Sequence, residues 1–167
     1  SGGAGEWHML YFHGGGFIEP MFDVHWPLVA AIAERCGVSV TVPLYDVVPE
    51  APASRQDALA DASFAALAAK HDPAKIILNG DSAGGHMALM LLQSLKGQGK
   101  PQPALCIGLC PWTDIGDRGA SLRDNDPTDL VQGWMALQFG VWLDPAGQYG
   151  RAALSPIAHD YRGLAPL

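Results

Sequence analysis

The sequence predicts one α/β domain built on a parallel sheet, and two observations carry that prediction. Short apolar runs alternate along the chain with longer helical patterns, an order that favours parallel strand pairing. Each run is also nearly continuous in apolar residues, as expected where helices cover both faces of a sheet. At 167 residues, 49% apolar and 16% charged, the chain has enough material for one core and is not a disordered sequence.

The elements follow in order. Ser1-Gly2-Gly3-Ala4-Gly5 reads as a linker or a cut point rather than a folded start. A strand over 7–12 is followed by a helix over 23–36, which Gly37 is placed to cap. A strand over 38–44 leads to an alanine-rich helix over 54–70, with Ser54 as N-cap and Asp57 three residues on. The strand over 75–79 runs into a helix over 82–96, closed by Gly97, and the fourth strand spans 104–110. After Pro111-Trp112-Thr113-Asp114 the chain turns polar, then a helix over 127–141 starts behind Asp126. Residues 115–150 therefore look like a helical insertion or cap, and 144–167, with Pro145, Pro156 and Pro166, like a loop. No repeat or low-complexity tract interrupts this order.

Charge and cysteine usage remove several function classes. A net charge of −7 without any Lys/Arg cluster is repelled by a phosphate backbone, so nucleic acid is not an expected partner. Cys36, Cys106 and Cys110 are odd in number and lack CxxC spacing, which suggests neither a disulfide framework nor a zinc site. On one strand, Cys106 and Cys110 would lie roughly 13 Å apart, too far to bridge. Three buried free thiols are the expectation. No basic-then-apolar leader and no membrane-length apolar run occur, so a soluble, cytoplasmic protein without a membrane span is expected.

Two motifs carry chemistry. Gly80-Asp81-Ser82-Ala83-Gly84-Gly85 sits directly after the strand over 75–79 and directly before an apolar helix. G-x-S-x-G in that setting is a nucleophile elbow: a sharp strand-to-helix turn projects the serine hydroxyl clear of the sheet. Any Cβ on Gly80 or Gly84 would collide with the neighbouring strand or helix. In a chain with 20 glycines the motif alone is a weak signal, and a purely structural glycine-rich turn has the same look. A phosphate loop is excluded because no Gly-Lys-Ser/Thr follows. The second motif, His13-Gly14-Gly15-Gly16, ends the strand over 7–12 and lies upstream of the elbow. Glycines there let the backbone pass close to a reacting carbonyl and turn amides inward, to act with the Ala83 amide on a tetrahedral oxyanion. His13 reads as an organiser of that loop. His25, within a helix beside Trp26, reads as a packed or surface residue.

With both motifs in hand, the chain resembles the hormone-sensitive lipase family of α/β-hydrolases, including its bacterial esterases. The resemblance rests on Tyr11-Phe12-His13-Gly14-Gly15-Gly16-Phe17, Tyr45 with Pro49-Glu50, and Gly80-Asp81-Ser82-Ala83-Gly84-Gly85-His86. Pro111-Trp112-Thr113-Asp114 and Leu154-Ser155-Pro156 add to it. It implies a mostly parallel central sheet with helices on both faces and hydrolysis of short- to medium-chain carboxylic esters. No metal or organic cofactor is implied. It ranks Ser82 as nucleophile and Gly15, Gly16 and Ala83 as leading oxyanion donors, with Gly14 after them. One departure is Asp46-Val47-Val48 between Tyr45 and Pro49, where the family usually carries an arginine or a similar polar residue.

A serine nucleophile needs a histidine base and a carboxylate to orient it, in the order Ser, Asp/Glu, His for this fold. Downstream of Ser82 the histidines are His86 and His159. His86 lies one turn along the same helix, pointing along it rather than over the elbow. His159 after Asp144 or Asp129 keeps the order, but the resemblance puts the acid and base beyond Leu167. The domain is thus expected to be incomplete at both ends, with unpaired sheet edges open to self-association or to a missing segment. Two other readings stay open: a ligand-binding member without catalysis, as in the gibberellin receptors, and another acyl hydrolase (thioesterase, amidase or peptidase).

Overall fold

The computed structural model describes residues 6–116 and 118–167, so the linker expected at 1–5 falls outside the described residues. Strand β1 (His8–Phe12) is buried along its whole length, because it pairs in parallel on both sides. Its neighbours are β2 (Ser39–Thr41) and β3 (Ile76–Asp81), and β4 (Leu105–Leu109) lies beyond β3, giving the order β2-β1-β3-β4. Phe12 pairs with Gly80, which sets the carboxyl ends of β1 and β3 level. The glycine loop and the Gly-Asp-Ser elbow therefore leave the sheet side by side, at the edge where open α/β sheets bind ligands.

The two faces follow from the period of two along each strand. Leu10, Phe12, Ile76 and Leu78 share the larger core with α2 (Ala53–Ala68) and α3 (Ala83–Gly97). Met9 and Tyr11 point the other way, where Val29 and Ile32 of α1 (His25–Cys36) meet them. In α3, ten of fifteen residues are buried, so the helix is apolar on nearly all sides and its N-terminus is held firmly. Each of its buried leucines contributes about 1.5–3 kcal/mol of transfer free energy.

Several boundaries differ from the sequence expectation for identifiable reasons. β2 stops at Thr41, two residues before Pro43, which has no amide for a ladder. Helix α2 begins at Ala53 behind Pro52, and Ser54 sits inside it without capping. Gly97 is the last residue of α3, and the left-handed turn falls at Gly99 (φ 63°). The helix expected over 127–141 is α5 (Gly133–Leu143), preceded by the single turn α4 (Ser121–Asp124). The Asp126 carboxylate accepts the Gly133 amide, so 125–132 forms a connecting turn instead of a first helical turn. The expected loop over 144–167 holds α6 (Gly150–Ala153) and a 3-10 turn at Pro156–Ala158.

The β4 edge is less open than expected, since the Cys106 amide donates to the Pro166 carbonyl at 2.8 Å. Burial of all three thiols is corrected as well. Only Cys106 is buried, its thiol pushed up to about 12 by desolvation, while Cys36 at the end of α1 and Cys110 past the end of β4 are exposed. Among the described residues no helix is long and apolar enough to cross a membrane.

Candidate active site

Ser82 joins β3 to α3 with φ 51° and ψ −117°, a conformation that L-residues rarely adopt. Such a residue costs of order 1–3 kcal/mol and persists only where its surroundings hold it. Here β4 does so: the Ser82 amide donates to the Leu109 carbonyl (3.1 Å), and the Trp112 amide donates to the Ser82 carbonyl (2.9 Å). The turn has no room for a wider backbone. A Cβ on Gly84 would fall on the Phe12 carbonyl oxygen, and one on Gly80 would fall on the Gly84 carbonyl. The outcome is a serine that is solvent-exposed above a buried helix start.

The glycine loop is anchored from beneath by Asp81. One carboxylate oxygen accepts the Tyr11 hydroxyl (2.7 Å) and the Gly14 amide (2.9 Å); the other faces His25 Nε2 at 3.5 Å. Burial and the adjacent carboxylate push the Tyr11 hydroxyl well above its ordinary value, so it remains a donor. From the opposite side the Tyr45 hydroxyl donates to the His13 carbonyl at 2.6 Å, while its ring stacks on His13 at 4.0 Å. His13 is buried and Nδ1 lies 2.7 Å from the Gly14 carbonyl, which can only accept, so Nδ1 carries the proton. Burial holds the ring below the usual histidine range, which keeps it neutral. The Asp46-Val47-Val48 departure is accommodated by backbone. Val48 donates to the Phe17 carbonyl at 2.8 Å, and Gln56 Nε2 donates to the Asp46 carbonyl at 2.7 Å.

Gly14 differs from its expectation as an oxyanion donor, because its amide is committed to Asp81. Gly15 and Gly16, at φ 123° and 61°, place their backbone where a side chain would be strained, and both line the cavity that Ser82 faces. Among the described residues, no hydrogen-bond acceptor engages the Gly15, Gly16 or Ala83 amides. The cavity measures about 960 Å³ and is walled on its far side by Leu130, Val131, Met135, Ala136 and Phe139. Among the described residues its charged lining consists of Glu19 and Asp129, both acidic.

The remaining candidates are dispersed. His86 is fully buried beneath the elbow, its Nδ1 on the Trp112 carbonyl at 3.1 Å, and desolvation pushes it down to about 4. Asp144 is occupied as a loop cap, accepting the amides of Gln148, Tyr149 and Gly150 at 2.9–3.1 Å. His159 bonds the Ala153 carbonyl through Nε2 (2.8 Å), and neither it nor Asp144 lines the Ser82 cavity. Asp129 does reach that cavity, but its carboxylate accepts the Val131 amide (3.1 Å) and no histidine accompanies it in the described lining. No three described His, Cys, Asp or Glu side chains are grouped to hold a metal ion. His25, read from the sequence as packed or surface, is packed at only 6% exposed, but sequence reasoning missed its contact with Asp81 and the place of Cys110 in the cavity lining beside Ser82. Nothing local marks either, since both placements depend on segments far apart in the chain.

Comparison with known proteins places the fold in a family. A family model described as the alpha/beta hydrolase fold matches residues 9–167. An esterase of Acinetobacter venetianus is 33% identical over 161 residues, covering 95% of this chain and 53% of that protein. An acetyl-hydrolase of Streptomyces hygroscopicus is 33% identical, covering 95% of this chain and 54% of its own length. A solved esterase from the bacterial hormone-sensitive lipase family superposes with a TM-score of 0.87 at 31% identity, covering 99% of this chain and 57% of that one. The chain spans about half the length of the curated relatives it matches. It belongs to the bacterial hormone-sensitive-lipase-like family of the α/β-hydrolase fold.

Proposed function

We propose that this chain supplies the nucleophile and the oxyanion donors of a serine carboxylesterase. The observation that carries the reading is an exposed Ser82 in a strained turn, facing the same cavity as Gly15 and Gly16. Ser82 Oγ attacks the ester carbonyl carbon while a base takes its proton. The Gly15, Gly16 and Ala83 amides stabilise the oxyanion, assisted by the positive end of α3. Collapse expels the alcohol, which takes the proton from the base, and water then releases the acid from the acyl-serine. Among the described residues the cavity lining holds no histidine, and neither Asp144 nor His159 reaches it.

The substrate reading is an uncharged ester with a short to medium acyl chain. An apolar wall from Leu130 to Phe139 supports it, as do the acidic Glu19 and Asp129, which disfavour a carboxylate or phosphate on the ester. Residues 115–150 are read as a cap-like insertion that forms this wall. Relatives described as esterase and acetyl-hydrolase lend weight to the same class. The intact protein, treated with a fluorophosphonate and digested, is expected to carry the adduct on Ser82 by mass spectrometry. An adduct elsewhere, or none, overturns the assignment and leaves ligand binding without catalysis as the better reading.

A further inference from the structure

His25 begins α1 and is a buried side chain that touches both Asp81, the anchor of the glycine loop, and Phe22 of the cavity wall. Its Nε2 faces Asp81 Oδ2, a carboxylate oxygen that accepts protons only, so Nε2 is the donor of that contact. In the neutral ring Nδ1 is then an acceptor, and the Phe22 amide donates to it at 3.1 Å. The other Nδ1 contact, 3.3 Å to the Phe22 carbonyl, would need a proton on Nδ1, which a neutral ring donating from Nε2 does not carry. The ring of Phe22 lies stacked over His25, with centroids 5.7 Å apart, and Phe22 lines the Ser82 cavity.

Asp81 in turn has its first oxygen filled by Tyr11 and Gly14. A Cβ on Gly14 would fall on Oδ2, the oxygen that meets His25, so the carboxylate lies flush against the loop it anchors. The segment from Gly14 to His25 is therefore pinned at both ends through one carboxylate. Between those pins lie Gly15 and Gly16, and the residues Ile18, Glu19 and Phe22 that line the cavity.

We propose that His25 is a positioning residue: by holding Asp81 with Nε2 and the Phe22 amide with Nδ1, it fixes the loop that aims the Gly15 and Gly16 amides into the cavity. It does not touch the ester. The proposal rests on the serine-esterase reading for its kinetic consequence, but the geometric claim can be measured without turnover.

The test compares His25→Ala with His25→Gln in the intact protein, using p-nitrophenyl butyrate for turnover and amide hydrogen exchange for the loop. Gln extends far enough to restore the donor to Asp81 and leaves the Phe22 amide unfilled. In His25→Ala, kcat is expected to fall about tenfold with KM within about twofold, less than the hundredfold or more lost with an oxyanion donor itself. Exchange at Gly14 is expected to accelerate by a similar factor. His25→Gln is expected to recover most of both losses. Unchanged kcat and Gly14 exchange in His25→Ala would overturn the proposal, as would a rise in KM alone or a failure of Gln to recover either quantity. If His25→Ala does not fold, His25→Phe, which fills the space without a donor to Asp81, takes its place with the same expected losses and the same overturning result. If neither the parent protein nor any variant turns over ester, the hydrolase reading fails, and Gly14 exchange still decides the role of His25.

Discussion

Ser82 concentrates the conflict between stability and chemistry in this molecule. Its φ of 51° lies in a region that glycine enters without penalty, so the serine is kept there at the expense of folding free energy. Ser82→Gly is expected to raise stability by about 1 kcal/mol in urea unfolding while abolishing ester turnover. Gly84→Ala should do the reverse of stabilising. Its Cβ meets the Phe12 carbonyl, backbone that cannot swing aside, and a loss of about 3 kcal/mol or more is expected in the same measurement. His86 supplies a pH dependence. Its folded value of about 4 lies below the unfolded 6.5, so the unfolded chain binds the proton more readily. The stability tied to its neutral form is complete above pH 6.5 and is lost as pH falls toward 4, by about 3 kcal/mol in all. His8 and His13, also held low by burial, slope the same way. Thermal melts across that window should show the drop, and His86→Phe should flatten it; a parent curve already flat would contradict the buried neutral ring.

At the scale of elements, the registered ends of β1 and β3 do the positioning, and α5 walls the cavity they face. The Phe12–Gly80 pairing brings two motifs 64 to 72 residues apart to adjacent strand ends, and Asp81 then ties them through Gly14. Across the cavity, Phe139 packs near Gly16 and Met135 lines the same wall, so under the proposed function α5 would set the depth open to an acyl chain. Phe139→Ala is expected to move the optimum of a p-nitrophenyl ester series toward longer acyl chains, by roughly tenfold in relative kcat/KM. An unchanged profile would place the acyl chain elsewhere. The strand and helix types were legible because buried parallel strands and the apolar α3 leave strong patterns. The start of α5 was not, because Asp126 captures the Gly133 amide and delays the helix by a contact that no periodicity encodes.

For the whole molecule, charge is the property that acts at a distance. The chain carries −7, and the cavity adds Glu19 and Asp129 without a lysine or arginine in its described lining. A butyrate ester and a succinate monoester of the same alcohol should therefore differ in kcat/KM by about tenfold at low salt, the anionic one being slower. The gap should narrow toward 0.5 M salt as the Debye length shortens, and in Glu19→Gln. Equal rates for the two esters would mean that the field does not reach the reacting group.

Sequence alone determined the fold class, the nucleophile turn and the glycine loop, since each is written in residues adjacent along the chain: an apolar run, two obligatory glycines, a serine between them. Only the tertiary structure decided which amides remain free, that Gly14 is spent on Asp81, that His25 lies buried against that same carboxylate, and that Asp144 and His159 serve their own loops. The Asp81 contacts join residues 56 and 67 positions apart, so packing and strand register, not local sequence, settle which donors reach that carboxylate.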